Sequence, residues 1–130
     1  MSVQSDIQQI QLHLTQKTSQ VLVLLMAEVD ARLKMKSPVD TGRFRASWTI
    51  GVGQPDTTVA PDVQKGQIAI PEPRIPAITM GATYYHANSL PYARRLEYGW
   101  SNKAPQGMVR LTAAEVPGIL QALVAQVGGA

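Results

Sequence analysis

An apolar stripe runs through residues 3–36 and stops at a proline. Ile7, Ile10, Leu14, Val21, Leu25, Val29 and Leu33 recur at spacings of three, four and seven, which places them on one face of an α-helix. Gln8, Gln9, Gln11, Gln16, Lys17 and Gln20 lie mostly off that face. Ser5 or Asp6 can cap the start. The stripe widens over residues 21–26, Val-Leu-Val-Leu-Leu-Met, so this part is expected to be buried on more than one side. Lys34 and Lys36 stand where the helix dipole favours cations, and Pro38 pushes the residue before it out of helical geometry. One quarter of the chain is therefore committed to a single element.

The remaining residues are too few for a second domain. A chain of 130 residues is one domain, 1–130, by the usual size range. Trp48-Thr-Ile-Gly-Val52 alternates strand formers and predicts a strand, preceded by a turn at residues 37–42 and either a short helical turn or a direct entry at residues 43–47. Residues 53–76 hold five of the nine prolines, Pro55, Pro61, Pro71, Pro73 and Pro76. They read as a stiff, extended arm or loop that orders against a neighbour. Within them Gln67-Ile-Ala-Ile70 predicts a short strand, and residues 77–84 predict a longer one. Residues 92–98 fit a helical spacing but are short. A closing helix is predicted over 108–127, with a kink or break at Pro117-Gly118. The expected fold class is α+β: a small, mostly antiparallel sheet packed with a long N-terminal helix and a C-terminal helix.

Composition excludes several kinds of chemistry. There is no cysteine, hence no disulfide, no thiolate nucleophile and no cysteine metal site. Net charge is +3, from 12 basic and 9 acidic residues, and no basic run exceeds Arg94-Arg95, which does not mark a nucleic-acid binder. The N-terminus lacks a signal-peptide pattern. The most apolar run, residues 21–27, is far short of a membrane span, and a soluble chain is expected. The two histidines, His13 and His86, have no carboxylate at metal-ligand spacing. Ser47 or Ser101 with His86 and Asp40 can be drawn as a triad, but no nucleophile-elbow motif supports it. Gly51-Val-Gly53 lacks the third glycine and following helix of a phosphate cradle. No catalytic residue, cofactor or metal is expected.

Two segments gather the aromatics and charges: Ser37-Pro-Val-Asp-Thr-Gly-Arg-Phe-Arg-Ala-Ser-Trp48 and Tyr92-Ala-Arg-Arg-Leu-Glu-Tyr-Gly-Trp100. Arg43, Arg45, Arg94, Arg95, Trp48, Tyr92, Tyr98 and Trp100 are residue types that protein–protein interfaces favour. The same set could stack on and grip a nucleic acid. Glu97 lies among them, and an ion pair with Arg43 or Arg45 is expected to tie one segment to the other, within a subunit or across two.

Val39-Asp-Thr-Gly-Arg-Phe-Arg-Ala-Ser47 resembles the proline-led Asp-Thr-Gly-Arg-Leu-Arg-x-Ser segment of the tail-component, or neck, proteins of long-tailed lambdoid phages. Asn88-Ser-Leu-Pro-Tyr-Ala-Arg-Arg-Leu-Glu-Tyr-Gly99 is similar to that family's Asn-x-x-Pro-Tyr-Ala-x-x-x-Glu-Tyr-Gly signature. Ser101-Asn-Lys-Ala-Pro-Gln-Gly-Met-Val-Arg110 resembles its third, which leads into the last helix. The order and spacing agree across residues 30–125. The resemblance implies a structural virion protein at the head–tail junction, active in tail completion by ring assembly and without catalysis. It implies contacts with its own copies, most simply six, with a tail terminator or tail tube protein and with head-completion or connector proteins. DNA would pass through the ring without sequence-specific binding, and no membrane is involved. The implied location is the virion, with assembly in the host cytoplasm. The signature positions here are Asp40, Thr41, Gly42, Arg43, Tyr92, Glu97, Tyr98 and Gly99. Three other readings are a non-virion assembly factor of the same fold, a nucleic-acid-binding module using the arginines and aromatics, and a hydrolase built on His86.

Overall fold

The computed structural model describes residues 2–38, 42–61, 70–98 and 107–128. Helix α1 spans Val3–Lys36, about 50 Å at 1.5 Å per residue. Helix α2 is a single turn, Arg43–Ala46, followed by strand β1, Trp48–Val52, and strand β2, Tyr84–Asn88. Helix α3, Ala93–Glu97, is also short. Helix α4, Val109–Gly128, closes the chain. The architecture is α+β, with a long N-terminal helix, a C-terminal helix and a small antiparallel sheet.

α1 starts one turn earlier than Ser5 or Asp6 would place it. Ser2 is the cap, and its Oγ accepts the Ser5 N–H at 3.1 Å. At the other end the backbone turns extended at Ser37, just before Pro38, for the steric reason read from the sequence. Ser37 then becomes a buried polar hub. Its hydroxyl donates to the Leu33 carbonyl at 2.6 Å and accepts the Trp48 indole N–H at 2.7 Å, while its carbonyl accepts Arg45 Nη2 at 2.9 Å.

The sheet has two strands, paired antiparallel with Trp48 opposite Asn88 and Val52 opposite Tyr84. Residues 77–83 do not form the predicted strand. Thr79–Ala82 close a β-turn instead, with the Ala82 N–H on the Thr79 carbonyl at 3.1 Å and Gly81 at φ 84°. Positive φ at the third turn position is where glycine is needed. The chain enters the sheet only beyond this turn. The strand predicted at residues 67–70 falls almost wholly outside the described residues. Such a small sheet is marginal alone, and helices complete it: Leu33, Phe44, Trp48, Leu90 and Met108 form one core cluster, with Val29, Ala93 and Leu96 packed on it.

α4 lies antiparallel along α1. Lys36 bonds Thr112 and Glu115 near the start of α4, Arg32 Nη1 reaches Glu115 at 3.3 Å, and Lys17 Nζ donates to the Val127 carbonyl at 3.0 Å near its end. By length and composition α4 would also suffice to cross a membrane; here Glu115, in its first half, is held by two α1 cations. The Lys36 ammonium and Arg32 guanidinium hold the Glu115 carboxyl below its ordinary value. Of the widened stretch, Met26 is buried and Leu22, Leu24 and Leu25 are half-buried, while Val23 faces solvent.

No break occurs at Pro117: α4 runs continuously through it. Proline removes one N–H donor and crowds the preceding turn, so the helix bears a local cost that its packing against α1 outweighs. Pro117 is exposed. Replacing Pro117 with Ala is expected to raise stability by about 1–2 kcal/mol, roughly 4–8 °C in melting temperature. An unchanged or lower midpoint in a thermal melt followed by circular dichroism would show that the proline is already accommodated without cost.

Candidate functional site

The segments singled out by sequence meet on one side of the core. Gly42 is buried, at φ 92°, and delivers the chain into α2, a conformation glycine adopts without strain. This orients Phe44 inward. Its ring lies edge-on to Trp48, with centroids 5.8 Å apart, and tilted against Tyr92 at 6.1 Å. Asn88 Nδ2 donates to the Phe44 carbonyl at 2.7 Å, and Asn88 Oδ1 accepts the Leu90 N–H at 3.3 Å. The first and second motifs are thus joined by an aromatic contact and a side-chain amide.

Within the chain, the expected Glu97–Arg43 or Glu97–Arg45 pair is not made among the described residues. Arg43 Nε donates to the Ala60 carbonyl at 2.9 Å, and Arg45 serves Ser37. Glu97 instead caps α4. Its Oε1 accepts the N–H groups of Met108 and Val109 at 2.8 and 2.7 Å, and its Oε2 accepts the Arg110 N–H and Nε, both at 3.0 Å. Arg110 Nη2 also donates to the Glu97 carbonyl. Partial burial would raise the carboxyl, but the three backbone donors and the guanidinium outweigh it and hold Glu97 below its ordinary value. The physical reason is the helix end: α4 begins with orphan N–H groups and a partial positive charge, and Met108, the residue before it, carries no side-chain oxygen to accept them. Glu97 supplies the cap from the second motif. The described parts of the three motifs, residues 42–47, 88–98 and 107–110, therefore form one continuous unit.

Tyr98 completes its outer surface. The Arg110 guanidinium lies 5.0 Å from the Tyr98 ring centroid and that of Arg94 lies 5.9 Å away. Arg94, Arg95, Tyr92 and Tyr98 are all exposed. Of the predicted interface set, Gly42, Arg43, Arg45, Trp48, Tyr92, Arg94, Arg95, Glu97 and Tyr98 lie on α2, β1 and α3 or beside them. Trp48 faces inward, buried at 8 % exposure, and acts as core. Asp40, Thr41, Gly99 and Trp100 lie outside the described residues.

The proline-rich segment is bound to its own body on both flanks of residues 62–69. Ser47 Oγ accepts the Ala60 N–H at 2.9 Å, Thr49 Oγ1 donates to the Asp56 carbonyl at 2.6 Å, and Lys34 Nζ donates to the Pro71 carbonyl at 2.9 Å. Between this segment, α1 and β1 lies an open cleft of about 400 Å³. Its floor is an ion pair, Lys34 Nζ to Asp30 Oδ2 at 2.7 Å, with both residues buried. The pair's charges compensate each other, a requirement for burying them.

The triad drawn from sequence falls partly outside the described residues, which include neither Asp40 nor Ser101. Ser47 Oγ donates to the Arg43 carbonyl at 2.6 Å as well as accepting from Ala60. His86 sits on β2 opposite Ile50; its Nδ1 is buried without a partner, and burial lowers its pKa despite the nearby Asp30 charge. Among the described residues no cluster of metal-ligating side chains occurs. No protein-family model, curated protein or solved structure matches this chain.

Proposed function

We propose that this chain is a structural phage virion protein of the head–tail junction, a neck or tail-completion component that acts by ring assembly and protein–protein contacts. The observation that supports it best is the joining of the three motifs. The sequence likeness to phage neck proteins rests on the three segments in order, and here their described parts form one unit: Phe44 against Tyr92 and Trp48, Asn88 on the Phe44 carbonyl, Glu97 on the start of α4. The residues they leave outward, Arg94, Arg95, Tyr92 and Tyr98, are types that interface hot spots favour. They are the candidate contacts with neighbouring copies, a tail terminator or tube protein and head-completion proteins.

Gold labelling of a tagged copy in assembled particles tests the proposal. Label at the head–tail junction of intact virions is the expected result. Label at the tail tip keeps the virion role and moves its place. Tailed particles that depend on the gene yet carry no label identify a non-virion assembly factor. Neither label nor dependence overturns the reading.

A further inference from the structure

His86 takes no part in joining the motifs, yet it is placed where a change of charge has consequences. It stands on β2 opposite Ile50, and its Nδ1 is buried without a hydrogen-bond partner. Directly opposed residues share a face of the sheet. Ile50 borders the cleft floored by Asp30 and Lys34, so His86 shares a face with a residue that flanks this buried pair. A neutral imidazole tolerates the position: its one proton can sit on Nε2 and leave Nδ1 a bare lone pair. The cation carries an N–H on both nitrogens. Protonation therefore buries a donor without an acceptor and adds a charge.

The charges around His86 come from few elements. β1 brings none, since Trp48, Thr49, Ile50, Gly51 and Val52 are all uncharged. On β2 itself the other titratable groups are Tyr84 and Tyr85. The proline-rich segment sets Asp56, Glu72 and Arg74 around the same cleft. α1 brings Asp30 and Lys34, both buried, while its Glu28 and Arg32 are engaged with each other and with Glu115. Asp30 is the carboxylate whose charge acts on His86. It is already taken: Lys34 Nζ lies 2.7 Å from its Oδ2 and also donates to the Pro71 carbonyl at 2.9 Å.

We infer that His86 and Lys34 compete for Asp30, and that acid thereby releases the Pro71 side of the proline-rich segment from α1. At neutral pH one buried cation matches one buried carboxylate. Protonated His86 is a second cation, and one carboxylate does not compensate two. Lys34, with its flexible four-carbon stem, is the member able to reach solvent, and Pro71 then loses its anchor. Burial lowers the His86 pKa and Asp30 offsets only part of that, so the unfolded chain binds the proton more readily. The fold keeps its full stability above the ordinary imidazole range and loses part of it as pH falls through that range. This latch goes beyond the neck reading and does not depend on it.

NMR titration of the isotope-labelled protein from pH 8 to pH 5 tests the inference. The His86 ring should titrate below the ordinary imidazole value, and the backbone amides of Glu72 and Arg74 should shift with the same midpoint while their heteronuclear NOE values fall. His86→Gln, which leaves His13 in place, should abolish the shift and the loss of order over this range. Lys34→Met removes the competitor: the His86 midpoint should rise, and the amides of Glu72 and Arg74 should already be mobile at pH 8. A His86 that titrates at or above the ordinary value, amides that stay fixed through its titration, or the same release in His86→Gln would each overturn the inference. All are measured on the isolated protein, so failure here leaves the particle-labelling result to decide the neck reading on its own.

Discussion

Replacing Glu97 with Ala is expected to destabilise the protein by about 3 kcal/mol, roughly 12 °C in melting temperature for a chain of this length. The substitution strips the start of α4 of acceptors for three N–H groups and leaves Arg110 without its carboxylate. Loss of a single neutral cap costs about 1 kcal/mol; charge-assisted bonds cost more. The pH dependence identifies the charge as the cause. The folded carboxyl lies below its ordinary value, so the unfolded chain binds the proton more readily and Glu97 stabilises the fold above the ordinary carboxyl range. That contribution is lost as pH falls through the folded pKa. Glu97→Gln, which keeps the shape and an acceptor, should therefore differ most from wild type at neutral pH and converge with it in acid. A difference that stays constant down to pH 2 would mean that the charge is irrelevant and that packing alone is affected. A melting temperature equal to wild type at pH 7 would show that α4 does not depend on this cap.

An acid among arginines suggests an ion pair, and Arg43 and Arg45 are plausible partners by type. The decisive signal lay elsewhere: the segment before α4 has no Ser, Thr, Asp or Asn at its cap position, so the helix must take an acceptor from another part of the chain. Gly107 carries the matching signal. At φ 83° it brings the backbone so close that a Cβ there would stand 2.6 Å from Glu97 Oε2. A missing cap beside a turn glycine is readable as a demand for a distant carboxylate, although it does not say which one.

Other elements were readable to different degrees, for physical reasons. α1, β1 and α4 were legible because each shows its hydrophobic period over enough residues. β2 was displaced by seven residues because Ala77-Ile-Thr-Met-Gly-Ala-Thr83 has the composition of a strand, while Gly81 makes it a turn. The true strand, Tyr-Tyr-His-Ala-Asn, holds its register through Asn88 on the Phe44 carbonyl and the Gly53 N–H on the Thr83 carbonyl at 2.8 Å. Those are long-range contacts that no local pattern announces. The cap at Ser2 was missed because Ser5 and Asp6 are equally good local candidates. The proline-rich segment was legible as extended, but its bonds to Ser47, Thr49 and Lys34 depend on how β1 and α1 are juxtaposed.

Phe44→Ala is expected to have the largest effect of any single change to the core, about 3–5 kcal/mol, a typical range for truncating a buried aromatic. Phe44 is 5 % exposed and touches the Trp48 and Tyr92 rings, so the cavity left behind would open beside both together. α2 is one turn long and cannot hold its geometry by its own hydrogen bonds. With the ring gone, the Phe44 carbonyl that anchors Asn88 should loosen, and with it the register of β2. The consequence is specific: the second motif should lose its place relative to the first while α1 and α4 remain paired. In a Trp100→Phe background, where Trp48 is the sole tryptophan, the Trp48 emission of Phe44→Ala should shift to the red and become accessible to acrylamide, with most of the helical circular dichroism retained at low temperature. Phe44→Leu should recover a large part of the stability but not the edge-on aromatic contact. If the indole stays shielded in Phe44→Ala, the site is held by Ser37 and its bond to Trp48 rather than by the aromatic cluster, and the joining of the two motifs through Phe44 would be incidental to their order.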